Sequence, residues 1–182
     1  MTTLPERRAQ TSTLVVVMVR GVLALVLGLA TGGLWVLAVL FPRVTAGVLV
    51  LLFGAYAALD GILTLALCMR ADSVYRMWLG LQGAISLCAG VVALAGMAAL
   101  GPRLLYLIAL WAIAVGALEF TVGRRVRREF GVGALAVSGL ASILFGVATL
   151  IAWPGAGLVP FMWLLAAYAI LVGIARIAAA AR

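Results

Sequence analysis

Ala55-Tyr56-Ala57-Ala58-Leu59-Asp60-Gly61-Ile62 returns as Ala167-Tyr168-Ala169-Ile170-Leu171-Val172-Gly173-Ile174, the same at six of eight positions, and Trp111-Ala112-Ile113-Ala114-Val115-Gly116-Ala117 stands between them. Ahead of each copy, a second apolar run carries two glycines seven apart: Gly21 and Gly28, Gly83 and Gly90, Gly139 and Gly146. Corresponding glycines are offset by 62 and 56 residues in one set and by 55 and 57 in the other. A pattern kept at a fixed period marks duplication, here of a unit of two apolar runs.

The composition says where such a unit resides. Of 182 residues, 67% are hydrophobic and 10% charged, and the mean hydropathy is +1.30. An ordinary soluble domain has ~45–50% and ~25%, so a soluble fold is excluded. A membrane-spanning helix consumes ~20 apolar residues, which allows about six. Charge and turn residues cut the chain into runs at about Leu14–Leu40, Val44–Met69, Met77–Leu100, Leu104–Val122, Gly133–Trp153 and Leu158–Ala180. The expectation is an all-α integral membrane protein of six transmembrane helices, arranged as three parallel-repeated helical hairpins. Residues 1–13 read as a cytoplasmic tail and 14–182 as one membrane domain, with repeats over about 14–69, 77–122 and 133–180. Each hairpin turns on proline, in Phe41-Pro42-Arg43, Gly101-Pro102-Arg103 and Trp153-Pro154-Gly155, since proline suits a helix start, where its missing N–H has no partner to lose. Glycines seven apart lie on one helix face and let backbones approach, which marks the first run of each pair as the inner contact of a pseudo-threefold bundle.

All thirteen basic residues are Arg, there is no His, and five residues are acidic, for a net charge of +8. Arg7, Arg8, Arg70, Arg76, Arg124, Arg125, Arg127, Arg128 and Arg182 fall on one side of the six-span scheme, with Arg20 and Arg176 near it, against Arg43 and Arg103 opposite. The positive-inside rule then places both termini in the cytoplasm. Arg7 and Arg8 also raise a secretory or twin-arginine signal, but the apolar stretch after them is far longer than the ~7–15 residues of a signal core. The basic balance fits anionic lipid headgroups rather than nucleic acid, with Arg124, Arg125, Arg127 and Arg128 as the headgroup contacts. A second copy of the chain or another membrane protein is a further candidate partner. Cys68 and Cys88 lie inside apolar runs, and with no His and no C-x-x-C spacing neither a metal site nor a cofactor is expected.

Four ionisable residues interrupt the runs: Arg20, Asp60, Glu119 and Arg176. A charge at a helix centre costs ~2.5–3.5 kcal/mol on insertion scales, so partners are required. Two pairings meet the requirement: Arg20 with Asp60 and Glu119 with Arg176, or the exchanged set. The cluster reads either as a lock between helices or as a polar site for an ion, proton or small molecule. Tyr56, Trp111 and Tyr168 share one repeat position, as pore lining or as aromatic packing.

The order Arg20-Gly21-Val22-Leu23 with Gly28, Phe41-Pro42, Phe53-Gly54-Ala55-Tyr56 with Asp60-Gly61-Ile62, Gln82-Gly83, Trp111-Ala112-Ile113 with Gly116 and Leu118-Glu119, Ser138-Gly139 with Leu144-Phe145-Gly146, and Trp153-Pro154-Gly155 with Ala167-Tyr168-Ala169-Ile170 resembles the HdeD family of bacterial inner-membrane proteins, named for acid resistance. The resemblance covers nearly the whole chain and departs in the short middle turn at Gly101-Pro102-Arg103. It implies six spans in three hairpins and a part in acid or envelope stress tolerance, with no agreed biochemical activity to carry over. With no nucleophile turn, phosphate loop or carboxylate cluster, an enzyme is not expected. The alternative function is a small channel or transporter for protons, ions or a small solute.

Overall fold

The computed structural model describes residues 4–69, 73–96, 103–130, 134–152 and 158–180. They form seven helices: α1 Leu4–Gly33, α2 Trp35–Leu40, α3 Pro42–Cys68, α4 Ser73–Ala95, α5 Leu104–Phe130, α6 Ala134–Ala152 and α7 Leu158–Ala180. In a bilayer the backbone must satisfy itself, and these apolar segments do so as helices. Pro42 opens α3 at its first turn, where the absent N–H costs nothing. Pro102 and Pro154, at the other two expected turns, lie outside the described residues.

Long helices follow one another around a ring: α1 beside α3, then α4, α5, α6 and α7, with α7 closing back on α1. Most of the central core comes from α3, α5 and α7, through Leu49, Phe53, Tyr56, Ile108, Trp111, Val115, Leu165 and Ala169.

This architecture corrects the expected six spanning helices in three hairpins. Seven helices are present among the described residues, and five are long and apolar enough to cross a membrane: α1, α3, α4, α5 and α7. The first run breaks after Gly32-Gly33, at a turn closed by Leu34 N–H on Thr31 O at 3.3 Å, and resumes as the short α2. Helix α6, Ala134–Ala152, is not among the five; its 19 residues cover about 28 Å at ~1.5 Å per residue, just short of the ~30 Å hydrocarbon core.

The proline hairpins are not the close-packed units either. The tightest pairs are α3 with α4, α5 with α6, and α7 with α1. Facing glycines explain the choice. A Cβ on Gly61 would sit 2.8 Å from Gly83 O, and one on Gly83 3.1 Å from Gly61 O. Gly116 and Gly139 meet in the same way at 2.8 Å in both directions, and Gly173 and Gly21 at 2.8 and 3.0 Å. With no side chain on either partner the two backbones touch, and close packing is what holds helices together in lipid. Farther along, Gly54 faces Gly90, and Gly28 and Gly146 face Ala166 and Ala109, so each pair is antiparallel. Glycines 21, 28, 83, 90, 139 and 146 therefore do not turn α1, α4 and α6 toward the centre. They seat those helices against α7, α3 and α5, which line the interior.

Candidate functional site

Arg20 on α1, Asp60 on α3, Glu119 on α5 and Arg176 on α7 come together, and none is more than 5% exposed. Arg20 grips Asp60 with two bonds, Nε to Oδ1 at 2.8 Å and Nη2 to Oδ2 at 3.2 Å. Arg176 donates Nη2 to Glu119 Oε1 at 2.6 Å and Nη1 to Asp60 Oδ1 at 3.4 Å. Arg20 Nη2 also lies 3.8 Å from Glu119 Oε1. Each guanidinium thus faces both carboxylates, and the four charges form one neutral group rather than two separate pairs.

Neighbouring helices complete the group. Ser138 on α6 donates to Glu119 Oε2 at 2.7 Å, and Ser86 on α4 donates to Asp60 Oδ2 at 3.3 Å. Trp111 Nε1 donates to Ser86 Oγ at 3.1 Å, and Arg176 Nη1 donates to Tyr56 OH at 3.2 Å. Ser142 Oγ bonds Ser138 O at 2.9 Å and also lies 2.9 Å from Tyr168 OH. Its single proton serves the carbonyl, so Tyr168 is the donor to Ser142. Every long helix contributes at least one side chain, and carboxylates taken out of water need such satisfaction of their lone pairs.

The shared aromatic position packs between helices. Trp111 stands edge-on to Phe53 and Tyr56, with ring centres 5.3 and 6.0 Å away, while Tyr168 stacks on Phe145 at 4.3 Å. Two repeat seams carry the same polar link, Ser86 to Trp111 between α4 and α5 and Ser142 to Tyr168 between α6 and α7. At the third, Ala24 on α1 stands where the other two have serine, and Tyr56 instead receives Arg176. Ser86 and Ser142, and the bonds made by Ser138 and the Tyr56 hydroxyl, are additions to the four expected charges. A signal was present: Gln82 and Ser86, like Ser138 and Ser142, lie one helical turn apart at repeat-equivalent positions.

Arg124 is exposed near the end of α5, its guanidinium 5.6 Å from the centre of the Phe120 ring. The side chains of Arg125, Arg127 and Arg128 lie outside the described residues. Among the described residues no three His, Cys, Asp or Glu side chains gather as a metal site, and Cys68 and Cys88 are free thiols.

Long apolar helices, a glycine-packed ring and internal repetition define a multi-pass α-helical membrane protein. The chain belongs to the family described as a short repeat of unknown function (DUF308), whose model matches three overlapping stretches, residues 19–95, 81–151 and 148–182. No curated protein and no solved structure compared with the chain matches it.

Proposed function

We propose that the protein is a non-catalytic, HdeD-type component of the bacterial inner membrane, acting in acid or envelope stress tolerance, with both termini cytoplasmic and its arginine-rich connections on anionic lipid. One observation carries the non-catalytic reading: the four buried charges are engaged with one another and sum to zero. A neutral, hydrogen-bonded group spread over four helices fits a lock that fixes helix positions, because Asp60 and Glu119 are both bound to arginine rather than held free to take up an ion or exchange a proton. The stress assignment rests on the resemblance to the HdeD family, and the headgroup assignment on the charge of residues 124–128.

Reconstitution tests the reading. The purified chain in liposomes is expected to conduct no protons or small ions above the rate of empty vesicles, while Asp60→Asn and Glu119→Gln lower its thermal midpoint in detergent. Specific flux that either substitution abolishes would replace the lock with the channel reading. Loss of the gene from its source bacterium is expected to reduce survival after acid or envelope stress, and unchanged survival would remove the stress role.

A further inference from the structure

Both guanidinium groups of the cluster have an Nε–H, and the two are treated differently. Arg20 directs its Nε to Asp60 Oδ1 at 2.8 Å. Arg176 places Nη1 and Nη2 on Tyr56, Asp60 and Glu119, yet its Nε is buried with no acceptor. Arginine stays protonated, so this donor cannot be removed by titration. A second buried donor, Gln82 Nε2, is likewise unpartnered. Gln82 is 3% exposed and sits one turn before Ser86, which donates to Asp60. In an apolar interior such groups take a ligand, because an unmade hydrogen bond there has no compensation from solvent.

The charge of the cluster selects the ligand. Two guanidinium groups balance two carboxylates, so an added anion would leave a net negative charge buried in the bilayer, and a cation would face an N–H donor. The ligand is therefore a neutral oxygen acceptor small enough for a packed interior. We propose that the cluster is a water-binding site, in which ordered water accepts from Arg176 Nε and bonds the Gln82 amide. A carboxylate offers about four acceptor positions, so Glu119, the 2.6 Å partner of Arg176, retains lone pairs for the protons of that water, and two to four polar partners suffice to hold one. The Gln82 amide can present either its oxygen or its nitrogen, which suits a ligand that both donates and accepts.

Arg20 supplies the internal control for a test that needs no variant. In the full-length, 15N-labelled chain in lipid nanodiscs, the Nε–H signals are assigned through bonds to their own backbones. Magnetisation transfer from water is expected at Arg176 Hε and at the Gln82 side-chain amide, and none at Arg20 Hε. Absence of transfer at Arg176 and Gln82 would overturn the proposal by showing a dry cluster. Transfer of equal size at Arg20 would also overturn it, since that is general solvent entry rather than a site. Either result leaves the lock reading to its own test, the thermal midpoints and flux of the carboxylate variants.

Discussion

Arg176 is the hinge of the charge cluster because its planar fork reaches two acids and a phenol at once. Removing it strips Glu119 of its 2.6 Å partner and leaves that carboxylate with Ser138 and the more distant Arg20. Breaking a buried pair costs about 3–5 kcal/mol, so Arg176→Met is expected to lower the unfolding free energy by that amount in detergent. Arg176→Lys, a point charge without the fork, falls between it and the parent. Full stability in Arg176→Met would mean that the cluster holds nothing together. Arg20→Met and Arg176→Met should not add, because each arginine touches both acids; a double-mutant cycle is expected to show a coupling of at least ~0.5 kcal/mol. The four charges are legible in the sequence since an ionisable group inside an apolar run demands a partner. Ser86 and Ser138 are not, because a serine in a membrane helix also satisfies itself on the carbonyl one turn back, as Ser142 does. Spacing alone does not separate the two uses.

Among the helices, glycine decides who packs with whom. An antiparallel helix lies on either side of each long helix, and the proline turns and the arginine-rich connections both join such neighbours. The regular glycines therefore announce a close-packed face without naming its partner. What settles the matter is coincidence in depth: Gly61, Gly116 and Gly173 meet Gly83, Gly139 and Gly21 backbone to backbone. That facing becomes visible only once the helices are in register. Gly139→Ala is expected to destabilise the protein by about 1–3 kcal/mol, the range for overpacking, since its new methyl would meet Gly116 O at 2.8 Å. Gly33, at the end of α1, has nothing within 4 Å of an added Cβ. Gly33→Ala should accordingly be neutral or stabilising by ~0.5–1 kcal/mol, through reduced freedom of the unfolded chain. Parallel thermal unfolding of the two variants checks the contrast, and equal effects would remove glycine contact as the basis of the pairing.

At the scale of the molecule, the ring and the charge cluster together fix relative direction. Asp60, Glu119 and Arg176 lie in the second halves of α3, α5 and α7, and their bonds set those halves level, so the three inner helices run the same way. α1, α4 and α6 run against them through the antiparallel glycine pairs. The C-terminal end of α7 is thereby on the same side as the end of α3, which is followed by Arg70, and the end of α5, which carries Arg124–Arg128. The start of α3, with the exposed Arg43, faces the opposite side. The proposed orientation, which rests on the positive-inside rule, puts the arginine-rich side in the cytoplasm. In a background with Cys68 and Cys88 replaced by alanine, Arg43→Cys is expected to react with a membrane-impermeant maleimide in intact cells and Arg125→Cys only after permeabilisation. The reverse pattern would invert the molecule and place residues 124–128 away from the anionic cytoplasmic leaflet. It would leave the glycine seams and the buried charges as they are, because those depend on helix against helix and not on which side of the bilayer is which.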